Sequence, residues 1–222
     1  MGKIYTALGL MSGTSMDGVD ASIIETDGNR EYSTKLNKYF EYGHELQQKL
    51  INIRAKIFNA DHLKSYFKEI KDLEREITLF HANAVNEILS ISKMEIDFIG
   101  FHGQTIFHDS KKKITKQLGD GNMLSQLTNK IVIYDFRQND LKNNGEGAPL
   151  SPIYHYLLVK TFTKTGKTKL PTTILNIGGI SNITSIDKNY NMISMDIGPG
   201  NCLIDKWIIS NSNKNFDNNG DI

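Results

Sequence analysis

The sequence is poor in the residues that staple, break or anchor a chain: among 222 residues there are one cysteine, one tryptophan and four prolines. A lone thiol, Cys202, excludes an intrachain disulfide and leaves no cysteine-based zinc cluster. No apolar run reaches the ~18–20 residues that cross a bilayer. The N-terminal stretch lacks the basic flank and small-residue cleavage site of an export signal. A cytoplasmic protein is therefore expected. Charge of one sign is also lacking, because 26 Lys+Arg stand against 25 Asp+Glu for a formal charge of +1. No dense basic block offers the footprint that nucleic acid needs, so neither nucleic acid nor a membrane is expected as a partner.

Apolar runs separated by short polar turns fill the space. Ile4 to Met11 leads through Ser12-Gly13-Thr14-Ser15-Met16-Asp17-Gly18 into Val19 to Thr26, and Lys35 to Tyr42 reads as a third strand. The chain thus opens on an antiparallel meander. Leu46, Leu50, Ile53 and Ile57 follow at helical spacing, and from Asp61 Leu63, Phe67, Ile70, Leu73, Ile77, Phe80, Ala84 and Ile88 predict one long second helix. Lys64, Lys68, Lys71, Glu74 and Arg75 read as its solvated face. Ile96 to His102 is a buried strand, and Lys130 to Asp135 another that ends on a carboxylate. Pro149 to Phe162 is expected to be helical with Pro149 in the first turn. The meander then returns as Thr173 to Ile177, Ile180 to Ile186 and Met192 to Ile197. A helix begins after Asn201, with Leu203, Ile204 and Trp207 on its core face and Cys202 a small packing residue, and the stretch from Phe216 to Ile222 is Asn-rich and polar.

The first meander turn has two glycines at the spacing of a Walker A loop, but Val19-Asp20 stands where that loop requires Lys and Ser/Thr. Such a turn still presents backbone N–H groups and hydroxyls to a phosphate, although an ordinary hairpin has the same look. Asn176-Ile177-Gly178-Gly179-Ile180-Ser181-Asn182 repeats the device. Two such hairpins, each opening a meander, point to the actin, sugar-kinase and heat-shock ATPase architecture.

Seven segments, in order, carry a more specific resemblance. They are Gly9 to Asp20, His102-Gly103-Gln104-Thr105, Gly119-Asp120-Gly121-Asn122, Asp135-Phe136-Arg137, Gly147-Ala148-Pro149-Leu150, Asn176 to Asn182 and Asp196-Ile197-Gly198-Pro199-Gly200-Asn201. Together they resemble the anhydro-N-acetylmuramic acid kinase family from Gly9 to about Trp207. Asn143-Asn144 departs from the small residues usual before the Gly-x-Gly-Ala-Pro-Leu segment.

The resemblance implies an α/β, actin-like or ribonuclease-H-like ATPase fold, a mixed sheet with flanking helices. The expected organisation is a complete first lobe over 1–162, a linker over 163–171 and a truncated second lobe over 172–222, without the C-terminal part that carries much of the adenosine pocket. It further implies that Gly13, Thr14, Ser15, Met16, Asp17, Gly18, Val19 and Asp20 bind ATP with Mg²⁺. Gly178 and Gly179 form a second phosphate loop, and Asp135 is the catalytic base. His102, Gln104 and Arg137 are candidates for the sugar, Arg137 either holding Asp135 ionised or meeting the substrate's lactyl carboxylate. The implied reaction opens 1,6-anhydro-N-acetylmuramic acid with water and phosphorylates its 6-oxygen from ATP, in peptidoglycan recycling. The alternatives are a non-catalytic remnant or one half of a split kinase. A homodimer or association with a separate C-terminal half is the expected protein partnership.

Overall fold

The computed structural model describes residues 2–214, 217, 220 and 221, so Phe216, Asn218, Asn219 and Ile222 of the Asn-rich ending lie outside them. The chain divides into two compact units between Ala148 and Pro149.

In the first unit, β1 (Tyr5–Ser12), β2 (Gly18–Thr26) and β3 (Tyr32–Glu41) form the expected antiparallel meander. Three helices follow: α1 (His44–Lys56), α2 (Ala60–Ser65) and α3 (Phe67–Ser92). The chain re-enters the sheet as β4 (Phe98–Asp109), parallel to β1 with Ile99 opposite Leu8. The second half of β4 pairs antiparallel with β5 (Ile114–Leu118). After α4 (Gly121–Thr128), the two-residue β6 (Val132–Ile133) lies parallel beside the first half of β4, and α5 (Phe136–Lys142) follows. This is the mixed sheet with flanking helices expected of an actin-like first lobe. Because β1, β4 and β6 run in one direction, the turn after β1 and Asp135 after β6 lie toward the same edge, where ligands of open α/β sheets bind.

One core holds these layers together. Leu8, Ile23, Ile99 and Phe101 of the sheet meet Leu50 and Ile53 of α1 and Ile77, Val85 and Ile88 of α3, all buried. Each such side chain contributes about 1.5–3 kcal/mol on burial. The periodicity from Ile70 to Ile88 is the buried stripe of α3.

The expected single helix from Asp61 is two. Asn59 caps α2 by accepting from the amides of Asp61 and His62, and at Tyr66 the backbone leaves helical values at φ −102°, ψ 21°. The ring of Tyr66 packs against the core, and α3 restarts from there. Glu74 is not on a solvated face: it is buried, because Lys71 and Lys116 each bring an ammonium to its carboxylate at 2.5 Å.

The second unit contains α6 (Pro152–Lys164), β7 (Thr172–Ile177), β8 (Ile180–Ile186), β9 (Met192–Pro199) and α7 (Asn201–Asn211). The strands form the second antiparallel meander, in the order β7-β8-β9. The proline in the first turn of α6 is Pro152, not Pro149. This helix groups with the second meander and not with the first lobe, since Val159 is buried and His155 Nδ1 lies 2.8 Å from Thr184 Oγ1 on β8.

On α7 the expected core face of Leu203, Ile204 and Trp207 is exposed, and only Ile208 is buried. Cys202 is likewise exposed, not packed. Leu175, Ile177, Ile193, Met195 and Ile197 of the sheet are also about half exposed.

Candidate active site

The turn between β1 and β2 is held from beneath at both of its ends. Gln104 Nε2 donates to the Gly13 carbonyl at 2.8 Å, and the Tyr42 amide donates to the Asp17 carbonyl at 2.8 Å. A trans peptide points its C=O and the following N–H in opposite directions. Drawing the Gly13 carbonyl onto Gln104 therefore aims the Thr14 N–H away from the protein. Thr14 and Ser15 are exposed at the tip, while Met16, at φ 57°, and Val19 bury their side chains in the core. Of the eight residues expected to bind ATP, these two thus contribute only backbone. Gly18 is required for packing, since a Cβ there would overlap the Phe40 carbonyl and the Tyr39 ring.

Asp17 and Asp20 are exposed carboxylates on this segment. Burial, then the Asp17 charge, raises the pKa of Asp20. The Tyr39 phenol is pushed up to about 12 by burial and then by Asp17, Glu41 and Asp20.

A buried polar chain runs under the turn. Tyr42 Oη lies 2.8 Å from Ser12 Oγ, Ser12 Oγ lies 3.3 Å from His81 Nε2, and His81 Nδ1 lies 2.8 Å from the Ile77 carbonyl. The carbonyl can only accept, so Nδ1 carries the proton. In the neutral ring Nε2 then accepts from Ser12, and Ser12 accepts from Tyr42. Burial lowers the His81 pKa to about 4 and keeps the ring neutral. Neither His81 nor Tyr42 stood out in the sequence, where both read as packing.

On β4, Gly103 has φ +72° and a Cβ there would overlap the Leu118 carbonyl, so the His102-Gly103-Gln104 bend needs glycine. His102 Nδ1–H donates to the Gly103 carbonyl at 2.7 Å, and His102 Nε2 accepts from Arg137 Nε at 2.8 Å. Burial, then the Arg137 charge, lowers the His102 pKa to about 4. Both ring nitrogens are therefore occupied by protein groups. Gln104 is fully buried and its Oε1 has no hydrogen-bond partner.

Asp135 does not end a long strand. It follows two residues after the short β6, in the left-handed conformation at φ 60°, ψ 33°, as the N-cap residue of α5. It is exposed and lines a cavity of about 200 Å³ with Lys71, Glu74, Lys116, Asp120 and Gln138. Burial opposes the Glu74 charge, but hydrogen bonds from Lys116 and Lys71 outweigh it and leave the pKa lowered. Asp120 caps α4 through Met123 N and donates its own amide to Thr78 Oγ1. The glycines beside it abut the Phe101 and Tyr134 rings. This cavity falls short of the ~300–1,000 Å³ of a full small-molecule pocket, so it suits part of a ligand. A larger depression of about 520 Å³, lined by Lys49, Glu69 and Asp72, lies over α1 and α3, away from the strand ends.

In the second unit, the Gly178 and Gly179 carbonyls accept the amides of Asn201 and Gly200 at 2.8 and 3.0 Å. The turn thereby seats the start of α7 and uses amides that a phosphate would otherwise meet. Among the described residues no group of three or more His, Cys, Asp or Glu side chains is arranged to hold a metal ion. No described helix is long and apolar enough to cross a membrane.

Comparison with known proteins places this geometry in a family. The profile of anhydro-N-acetylmuramic acid kinase matches residues 5–222. The chain is 50% identical over 222 residues to the protein of that name from Pelagibacter ubique, covering 99% of this chain and 58% of that one. It is 40% identical to the one from Agrobacterium fabrum, over 99% of this chain and 59% of the relative. The fold also aligns with a Ppx/GppA phosphatase from Aquifex aeolicus at a TM-score of 0.44 and 10% identity, over 92% of this chain and 55% of that one. The chain thus spans somewhat under three fifths of the length of its curated relatives, and it belongs to the anhydro-N-acetylmuramic acid kinase family.

Proposed function

We propose that this chain supplies the phosphate turn and the sugar-activating carboxylate of an ATP-dependent kinase acting on 1,6-anhydro-N-acetylmuramic acid in peptidoglycan recycling. The observation that carries the reading is the Gln104 bond to Gly13. It ties the strand bearing the sugar-side motif to the turn bearing the phosphate-side motif.

In the proposed reaction Asp135 takes a proton from a water that attacks the anomeric carbon. The 1,6-anhydro C–O bond breaks, and the released 6-oxygen attacks the γ-phosphorus of ATP, so that N-acetylmuramic acid 6-phosphate and ADP leave. Asp135 suits the part of base because it is exposed at a fixed helix start and opens on a polar cavity; a general base must lie within hydrogen-bond reach of its proton. The Thr14 N–H and the hydroxyls of Thr14 and Ser15 fit a phosphate, since positioning and charge stabilisation dominate phosphoryl transfer. Mg²⁺ is usually bound by one or two carboxylates together with phosphate oxygens. Asp17 and Asp20 fit that need, and the ion would supply charge neutralisation at the phosphates. The occupied amides at Gly178-Gly179 leave that turn a weaker phosphate candidate, through its remaining N–H groups.

The test is Asp135→Asn. Turnover of 1,6-anhydro-N-acetylmuramic acid with ATP should fall by at least about a hundredfold while nucleotide affinity stays within a factor of about two. Residual turnover within a few-fold of the parent rejects the base assignment. The second reading, a chain that binds ligands without turnover or works only with a separate polypeptide, is favoured by the exposed apolar face of the second unit. Nucleotide and sugar binding by the chain without product formation selects it.

A further inference from the structure

Arg137 is a half-buried cation without an anion. Its Nε donates to neutral His102 at 2.8 Å and its Nη1 to the Gly147 carbonyl at 2.8 Å. No ion pair joins it to any Asp or Glu of residues 2–148. Asp135, two positions earlier, does not pair with it, and Asp140, three positions later, gives its Oδ2 to the Gly147 amide. Both partners of the guanidinium are uncharged acceptors, and they fix its plane. The second partner is itself held in place: Gly147 has φ +73°, and a Cβ there would press on Leu141 and His108.

Burying a guanidinium against neutral acceptors is costly unless an anion completes the site, and the donors left over form the planar fork that matches an oxyanion. A purely structural clamp on the 145–147 turn needs no permanent charge, and Asp140 already holds that turn. Two anions of the proposed reaction qualify: the lactyl carboxylate of the sugar and a phosphate of the nucleotide. Arg137 shares the first turn of α5 with the helix-capping Asp135, whose proposed target is the sugar. The phosphate turn is engaged instead by Gln104 and Tyr42.

We propose that Arg137 is the receptor for the substrate's carboxylate, with His102 as its positioning residue, so that the chain selects a lactyl-bearing anhydro sugar over its neutral counterpart. The inference rests on the anhydro-sugar reading above. It gives His102 a task other than the contact with sugar hydroxyls expected from sequence, since both of its ring nitrogens are occupied.

Calorimetric titration of the chain with 1,6-anhydro-N-acetylmuramic acid, with 1,6-anhydro-N-acetylglucosamine, which lacks the lactyl group, and with ATP separates the possibilities. The lactyl sugar should bind at least about tenfold more tightly than the neutral one, as a charge-assisted bidentate pair allows. Arg137→Met should remove that preference while leaving the neutral sugar and ATP unaffected. Arg137→Lys, which keeps the charge but not the fork, should retain part of it, and it answers the question if the methionine variant does not fold. His102→Phe should weaken the lactyl sugar alone. Equal wild-type affinity for the two sugars, or a preference that survives in Arg137→Met, overturns the receptor and leaves the kinase reading standing. A loss confined to ATP assigns the guanidinium to phosphate and overturns it too. Failure of both sugars to bind overturns the sugar reading and this proposal together.

Discussion

Two neutral histidines set how the first unit responds to acid. His81 and His102 both have pKa values lowered to about 4, chiefly by burial, from an ordinary value of 6.5. The unfolded chain therefore takes up protons as pH falls through 6.5, while the folded chain resists until about 4. Where the unfolded state binds more protons, stability falls as pH falls. The loss should begin near pH 6.5, deepen down to about pH 4 and level off below. Every tenfold change in a ring's proton affinity on folding is worth about 1.4 kcal/mol. The two rings together therefore represent several kcal/mol, and less than their sum because each feels the other's charge. Denaturant titrations at pH 7.5, 6 and 4.5 read this directly. Equal unfolding free energies at the three values would contradict the neutral-histidine network. The same residues show what sequence conceals. His81 falls in the helical run from Asp61, and its polar role appears only when Ser12, 69 residues away, and Tyr42, 30 residues from Ser12, reach the same buried spot. Arg137 was visible as a candidate, but its partner, His102, lies 35 residues upstream, and no local pattern pairs the two.

Regular elements were legible where one period dominated. Alternation gave both meanders, and the three- and four-residue spacing gave the buried stripe of α3, because a single hydrophobic face imposes a single period. Places where the backbone departs from a regular period were not legible. The break at Tyr66 lies inside an unbroken apolar pattern, and the strand expected over 130–135 shrinks to Val132–Ile133 because Asp135 turns into the left-handed region to start α5. Glycines in β4 and in the β2–β3 turn make the contrast testable. Gly103 and Gly28 have the same φ of +72°, yet a Cβ at Gly28 meets nothing within 4 Å while one at Gly103 overlaps the Leu118 carbonyl. Gly28→Ala should cost only the left-handed conformation, about 1–2 kcal/mol. Gly103→Ala must also part β4 from β5, so it should cost at least about 2 kcal/mol more, in the range of overpacked sites. Thermal melts of the two variants compare them, and equal changes in melting temperature would remove the bend from the account of how Gln104 reaches Gly13.

At the scale of the molecule, the two units differ in how much of their apolar surface is covered. The first closes a core between its sheet and α1 and α3. In the second, Leu175, Ile177, Ile193, Met195 and Ile197 remain about half exposed on β7 and β9. Those strands flank β8 at the two edges of a three-stranded sheet, and poorly buried edges open readily. Amides of β7 and β9 should exchange with deuterium at least about tenfold faster than those of β1 and β4. Mass-spectrometric exchange measures this, and matched protection would refute it. Above that sheet, α7 carries Trp207, the chain's one tryptophan, more than half exposed to water. Because indole absorbs at wavelengths that tyrosine barely does, light chosen to excite it reports from this single helix without any label. Emission from the isolated chain should resemble that of a hydrated indole. Any polypeptide that comes to rest on α7 will announce itself as a move to the blue.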